Sequence, residues 1–452
     1  MGESDDAQKM QRLLEMLALN SGDVSKLTQQ QRKEFEEYKF WKTQPVARFD
    51  EKVEEEGPIN PPRRVEDVRD EPYPLLEEFE WRTLDITNAQ DLEDVFVLLN
   101  ENYIEDKDST FRFNYTREFF NWALKPPGWR KEWHVGVRVK QSGRLVAFIS
   151  AVPTTLEVRG REIKSVEINF LCIHKKLRSK RLAPILIKEI TRRVNKCDIW
   201  HALYSAGIIL PSPISTCRYT HRPLNWSKLF DVGFTALPAN ATKTQMLAKY
   251  TLPKKPLLEG LRPMTDADVD AAFDLFNRYQ KRFELIQTFD KDEFRHWFLG
   301  NEETPNVIFS YVVENAEGKI TDFVSFYSLP FTILKNPLHK ELGISYLFYY
   351  ASDADFEYED RYDPTATELL RKRLVHLVND VCILARDLKM DVFNALTSQD
   401  NALFLEDLKF GPGDGFLNFY LFNYRANPIR GGLTGDKKFD AKNRSNQGVV
   451  ML

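Results

Sequence analysis

The sequence predicts an α/β fold made of two structurally related halves. Three observations lead there. Helical and strand periodicities alternate from Phe79 onward. The order helix, hairpin, strand, helix occurs twice without a visible sequence repeat. At 452 residues the chain is also too long for one small core.

Taken in order, residues 1–34 hold one short amphipathic stretch (Met10, Leu13, Leu14, Met16, Leu17) in a polar setting and read as a mobile arm. "FWKTQPVARF" begins folded structure, and "EKVEEEGPINPPRRVEDVRDEPYPLL", rich in proline and charge, reads as an extended surface strap. "DLEDVFVLLNENYIED" has helical spacing. "EWHVGVRVK" and "RLVAFISAVPTTLEV" alternate as strands about the turn "QSGR", and "SVEINFLCIH" is a third strand leading through a basic loop into a helix that ends near Asn195. The order then returns: a helix in "ADVDAAFDLFNRYQKRFEL", a hairpin turning at "ENAEGK", a strand in "LGISYLFYYAS" and a long helix around "ATELLRKRLVHLVNDVCILARDL". The loop-like "TLPKKPLLEGLRP" places the boundary between halves near 220–260.

Bulk properties narrow the function classes. A net charge of −4 gives no global attraction to nucleic acid or anionic membrane. The aromatic share of 13% suits large apolar pockets as well as large cores. The four cysteines are widely spaced and no signal peptide precedes them, so a reduced, cytoplasmic setting is expected. The seven histidines form no ligand-spaced pair, so no metal is expected. No apolar run approaches the roughly 18 residues of a membrane span. Asp6 stands where an N-myristoylation signal needs Ser or Thr, so the chain itself is not expected to be lipidated.

Two stretches carry chemistry. In "VEINFLCIHKKLRSKRLAPILIKEITRRVNK" a strand enters a loop holding Lys175, Lys176, Arg178, Lys180 and Arg181, and a helix comes next with Pro184 at an early, tolerated position. Basic side chains at a helix N-terminus suit phosphate. The loop lacks the glycines of a nucleotide P-loop, so the pyrophosphate of coenzyme A, as in an acetyltransferase-type fold, fits better than ATP; the plain alternative is a solvated face. The second stretch is the chain end, "GVVML", apolar where ends are usually solvated. It could be a short strand, a ligand for a partner that captures a terminal carboxylate, or a buried tail that delivers its own carboxylate to a working site.

"EINFLCIHKKLRSKRLAP" and "KFGPGDGFLNFYLFN", with "KFWKTQPV", "ENYIEDKDSTFRFNYTREFFNWAL", "PPGW", "TCRYTHRPLN" and "DVFNAL", resemble the N-myristoyltransferase family in order from about Tyr38 to Leu452, and among its members the fungal ones most. The resemblance implies a duplicated acetyltransferase-like fold, two pseudo-symmetric halves around a large twisted mixed sheet, with the arm over 1–34, an acyl-CoA-binding half over 35–220, and a half over 221–452 forming most of a peptide groove. It implies myristoyl-CoA as co-substrate, bound first, no tightly bound cofactor, and transfer of myristate to the α-amino group of an N-terminal glycine. Glycine-first peptides and nascent proteins are then the partners, with the ribosome a further candidate, and the chain is expected to be a monomer. A short-chain acyl-CoA acetyltransferase and a non-enzymatic acyl-CoA adaptor with a docking tail are the competing readings.

Residue by residue, the resemblance points to the backbone N–H groups of Phe170 and Leu171 as oxyanion donors. A strand frees two amides only where its ladder is interrupted, so a bulge is expected there. The carboxylate of Leu452 would be the base, with Ser205, where the family has Thr, holding the amine, and with Asn169 a further catalytic residue that also lines the peptide groove. Tyr38, Lys39, Phe40 and Trp41 would cover the acyl-CoA, with Cys172 and Ile173 beside it and Arg178, Ser179, Lys180, Arg181, Leu182, Ala183 and Pro184 around its phosphates. Tyr103, Phe111, Phe113, Tyr115, Tyr204, Tyr219, His221, Phe234, Tyr327 and Leu417 would line the peptide groove. Asp106, Asp108 and Asp414 would form an acidic patch for basic substrate residues, though "YIEDKD" also reads as a solvated helix end. The glycines of "GPGDG", Gly415 among them, permit close backbone approach and unusual φ, or mark a mere tight turn. Cys172, with His174 two residues on, could in principle form an acyl-enzyme; a buried structural cysteine is the commoner case.

Overall fold

The computed structural model describes residues 40–48, 51–104 and 110–452. The arm at 1–34, Tyr38, Lys39, Asp106 and Asp108 lie outside the described residues, as does the side chain of Ser179.

Thirteen strands form one mixed sheet. Its first six are β1 (Phe79–Thr83), β2 (His134–Val139), β3 (Leu145–Val158), β4 (Arg161–Ile173), β5 (His201–Ala206) and β6 (Ser215–Pro223). The rest are β7 (Leu261–Pro263), β8 (Leu285–Thr288), β9 (Ile308–Glu314), β10 (Ile320–Ser328), β11 (Ile344–Ser352), β12 (Val392–Leu396) and β13 (Gly411–Phe422). Across the sheet the order is β1-β2-β3-β4-β5-β13-β6-β12-β11-β10-β9-β7, with β8 pairing on β3.

The helices that matter here are α1 (Ala89–Asn102), α2 (Arg117–Leu124), α3 (Leu182–Asn195), α4 (Trp226–Asp231), α5 (Lys243–Tyr250), α6 (Val269–Gln280), α7 (Lys291–Leu299) and α8 (Pro364–Asp387). Local chemistry sets their ends. Asn88 caps α1 by accepting from the amides of Gln90 and Asp91, and Asp363 caps α8 with Pro364 in its first turn.

The duplication is visible in the topology. β3 and β4 run antiparallel, α3 crosses over, and β5 returns parallel to β4. β10 and β11 run antiparallel, α8 crosses over, and β12 returns parallel to β11. Each half then receives its next strand from the other: β13 lies beside β5, and β6 lies beside β12. The β6–β13 pair joins the halves, and β6 spans the boundary expected at 220/221. A large apolar cluster unites α1, α2, α6, α7 and α8 with one side of the sheet, and Leu186, Ile190 and Val194 of α3 close a second against β2 and β3.

One element differs from the sequence reading, and one was not assigned by it. The helix expected over 267–285 ends at Gln280, because Leu285 and Ile286 pair with Val158 and Glu157 of β3. "GPGDGFLNFYLF" forms the long strand β13 despite its proline and glycines, since it is held between β5 and β6. The segment 51–76 is the extended strap the composition suggested. It is largely exposed and tied down where Gly57–Pro58 pairs with Tyr424–Arg425.

Candidate functional site

The site is built around an interruption in β4. Against β3, Phe148 faces Cys172 and Ser150 faces Asn169, so Phe170 and Leu171 together oppose the single residue Ile149. This is a β-bulge at the two residues where one was expected. Phe170 sits at φ 58°, a left-handed conformation rare for a bulky side chain. The extra residue also reverses the facing of the strand positions beyond it. Phe170 and Cys172 enter the large cluster, while Leu171 and Ile173 pack towards α3.

The bulge aims its amide. Ser150 Oγ donates to the Asn169 carbonyl at 3.0 Å, fixing that oxygen on the β3 side. In a trans peptide the next N–H points the opposite way, so the Phe170 N–H is directed away from β3. There β5 pairs with β4 only as far as Ile168, opposite Tyr204, and beyond it the two parallel strands part. The Tyr103 phenol lies at this place. Burial pushes its pKa up, opposed by a hydrogen bond from the Phe170 backbone.

Aromatic residues line one side of the opening. Phe170 lies 6.0 Å from Tyr103 and 5.7 Å from Tyr115, ring centre to ring centre. Tyr115 continues to Phe113, Phe113 to Phe331, Phe331 to Phe111, Phe111 to Phe234, and Phe234 to His221. Tyr219 and Tyr327 lie within electrostatic reach of Tyr115. Burial lowers the His221 pKa, although its hydrogen bond to Asn394 and the charge of Asp414 act the other way. Ser205 comes after Tyr204 on β5, opposite Phe419, and Leu417 of β13 faces Cys217.

Between Pro412 and Phe416 the register of β13 against β6 shifts, so Gly413, Asp414 and Gly415 bulge out with Asp414 exposed. The glycines there serve close approach and not unusual φ. A Cβ on Gly413 would overlap His221 Nε2, and none of Gly411, Gly413 and Gly415 has positive φ.

The chain end is buried. Gln447 forms a single parallel bridge to Leu285, Gly448 N–H donates to the Leu285 carbonyl at 2.8 Å, and Val450 N–H donates to the Tyr349 hydroxyl at 2.9 Å. Val449, Val450 and Met451 are buried and Leu452 is half-buried against the large cluster. The tail is thus neither a sheet strand nor an exposed ligand. Just upstream, Asp400 anchors it. Burial would raise the Asp400 pKa, but Arg361, Arg444 and Arg282, with the Tyr279 hydroxyl, hold it well below the carboxylate range. The Arg444 contact is 2.7 Å.

Of the acyl-CoA residues, Trp41 stacks on Tyr204 at 5.9 Å, Phe40 packs on Trp41, and Tyr204 stacks on Tyr420. The basic loop is a 3-10 stretch over Lys175–Lys180, and Arg181 at φ 55° leads into α3, whose first residues are Leu182, Ala183 and Pro184. Arg178 donates to the Asn102 carbonyl at 2.6 Å, tying the loop to the end of α1. Lys180 and Arg181 are exposed and Leu182 is buried.

A cleft of about 1570 Å³ runs between the strap and α3. Trp41 lines it, whereas Arg178 and residues 180–184 do not. Its lining includes Lys188, Thr191, Arg192 and Asn195, a stripe at helical spacing on α3 that the sequence reading passed over. Also passed over were Ser150, Tyr349 and Glu167. For Glu167 a signal existed, since a carboxylate stands in the middle of the largely apolar run "VEINFLCI".

The covalent route finds no support. Burial pushes the Cys172 thiol up to about 12, and His174 Nδ1 accepts from the Lys176 amide. Among the described residues no cluster of His, Cys, Asp and Glu has the makings of a metal site, and no helix is long and apolar enough to cross a membrane.

Two family models match the chain. Myristoyl-CoA:protein N-myristoyltransferase, N-terminal domain, matches residues 58–217, and the C-terminal domain of the same family matches 231–450. The chain is 95% identical over 452 residues to a glycylpeptide N-tetradecanoyltransferase of Eremothecium gossypii, covering 100% of both chains. It is 65% identical over 455 residues to that of Saccharomyces cerevisiae, again covering 100% of both. A crystal structure of Saccharomyces cerevisiae N-myristoyltransferase with bound myristoyl-CoA superposes with a TM-score of 0.91 at 66% identity, covering 92% of this chain and 100% of that one.

Proposed function

The chain belongs to the N-myristoyltransferase family, and from that premise we propose that it transfers myristate from myristoyl-CoA to the α-amino group of an N-terminal glycine. It is an acyltransferase with myristoyl-CoA as co-substrate, in keeping with the acyl-CoA bound in the related crystal structures. The observation that carries the mechanism is the bulge at Phe170 and Leu171, with the Phe170 amide turned into the gap between β4 and β5.

In the proposed reaction acyl-CoA binds first, along β4 and under Trp41. The thioester carbonyl takes hydrogen bonds from the Phe170 and Leu171 amides, each contributing about 2.7–4 kcal/mol as charge develops on the oxygen. Asn169 and Ser205 hold the amine, the aromatic wall holds the peptide, and Asp106, Asp108 and Asp414 receive its basic residues. The amine attacks the carbonyl carbon directly, the C–S bond breaks, and coenzyme A leaves as the thiol.

The Leu452 carboxylate accepts the amine's proton. In water a carboxyl near ~3.5 and an amine near ~8 differ by about 6 kcal/mol in proton affinity. Burial raises the first and lowers the second, so a carboxylate at the end of a tail buried through Met451 faces a narrower gap. Threading the tail through the core accounts for its apolar sequence. The myristoyl chain contributes about 0.8 kcal/mol per buried methylene, so a dozen give roughly 10 kcal/mol before ordering costs.

The test measures coenzyme A release from myristoyl-CoA with a Gly-x-x-x-Ser peptide, comparing the full chain with one lacking Leu452. Loss of turnover with retained acyl-CoA binding is expected. Unchanged turnover would assign the base elsewhere, and no release from either folded protein would remove the transferase reading.

A further inference from the structure

Just before the bulge, Glu167 and Asn169 lie two residues apart on β4 and share one face of the strand. Glu167 is buried, and Asn169 Nδ2 donates to its Oε1 at 2.6 Å. No cation pairs with it among the described residues. Burial and the Asn169 hydrogen bond act on it, and its own charge reaches Tyr327 of β10 and Tyr349 of β11. Its strand neighbours, Val152 and Leu203, are apolar. A buried carboxyl without a cation is costly, and Gln would fill the same space without that cost. Tyr349 also accepts the Val450 amide, so the phenol that holds the C-terminal tail lies within electrostatic reach of the acid.

An amide offers two unlike ends, and its partner decides which faces outward. An ionised Glu167 can only accept, so it takes the Asn169 N–H and leaves the Asn169 oxygen free. A protonated Glu167 can donate to that oxygen and leave the NH₂ group outward.

We propose that Glu167 is a positioning residue of the acyl transfer: as carboxylate it turns the Asn169 oxygen towards the substrate's α-ammonium, and on protonation it releases that orientation. The proposal rests on the acyl-transfer reading above. Burial pushes the Glu167 carboxyl from its ordinary 4.5 up to about 7, so both states are populated near neutrality. Peptide recognition then strengthens as Glu167 ionises, independently of the titration of the peptide amine.

The experiment measures kcat and KM for a glycine-first peptide from pH 5.5 to 9, with the myristoyl-CoA Kd, for wild type, Glu167→Gln, Asn169→Ala and the double variant. Glu167→Gln is expected to raise the peptide KM about tenfold, the scale of one hydrogen bond to a charged group. It should remove the inflection near neutrality and leave the myristoyl-CoA Kd within about twofold. In the Asn169→Ala background the same change should have no further effect, because Glu167 acts through that amide. A wild-type profile and KM in Glu167→Gln would overturn the proposal, as would additive effects in the double variant or a parallel loss of acyl-CoA affinity. Absence of coenzyme A release from wild type would instead remove the acyl-transfer reading itself.

Discussion

Replacing Glu167 by Gln should stabilise the protein at pH 8 and leave it nearly unchanged at pH 5. The carboxyl is fully enclosed, and burial raises it from 4.5 to about 7. Between those values the unfolded chain has lost the proton and the native state keeps it, so stability falls as pH rises. The stability associated with the protonated acid is complete below pH 4.5 and is lost by the time pH passes 7. At 1.36 kcal/mol per unit, the shift corresponds to roughly 3 kcal/mol. Gln carries no such titration. For a 452-residue chain, an unfolding entropy of about 2 cal/mol/K per residue converts roughly 3 kcal/mol into about 3–4 °C of Tm. Thermal unfolding of both proteins at pH 5, 6, 7 and 8 should show a gap that opens with pH and levels off above 7. A gap of constant size would refute the reasoning, since it would mean that Glu167 ionises in the native state as it does in water.

Three further outcomes are expected. Ser150→Ala removes the hydrogen bond that fixes the Asn169 carbonyl and thereby the direction of the Phe170 amide; at about 1 kcal/mol, it should lower kcat roughly fivefold with the myristoyl-CoA Kd retained. Gly413→Ala would press a methyl group onto His221, whose ring is held by Asn394 at 2.6 Å; an overpacking cost of about 1–3 kcal/mol should raise the peptide KM roughly tenfold or more in the same assay. Asp400→Ala leaves Arg282, Arg361 and Arg444 without their shared counter-charge and should destabilise by about 3–5 kcal/mol, read as a lowered Tm.

The periodic elements were legible because their pattern is local. The hairpins at "QSGR" and "ENAEGK" and the helix ending at Asn195 lie where the sequence reading put them. Periodicity also carried the order that occurs twice, and the topology of β3-β4-α3-β5 and β10-β11-α8-β12 shares it. It could not show β13, where "GPGDG" left a tight turn open and the stretch is a strand because β5 and β6 flank it. Nor could it show that each half takes its next strand from the other, since pairing partners far apart in sequence leave no local trace.

The site divides along the same line. The residues of "EINFLC", the apolar "VVML" and the aromatic positions were set by sequence, because residue type alone limits which groups can donate, accept or pack. What they do depends on three tertiary facts. The extra residue at Phe170–Leu171 is measured against β3, the Phe170 amide meets the Tyr103 phenol and not β5 because the β4–β5 pairing ends at Ile168, and the tail is buried because Leu285, Tyr349 and the Asp400 anchor receive it. Glu167 shows the limit most plainly. Its identity was in the sequence, but its missing counter-charge is a property of everything folded around it, and only the tertiary structure decides that.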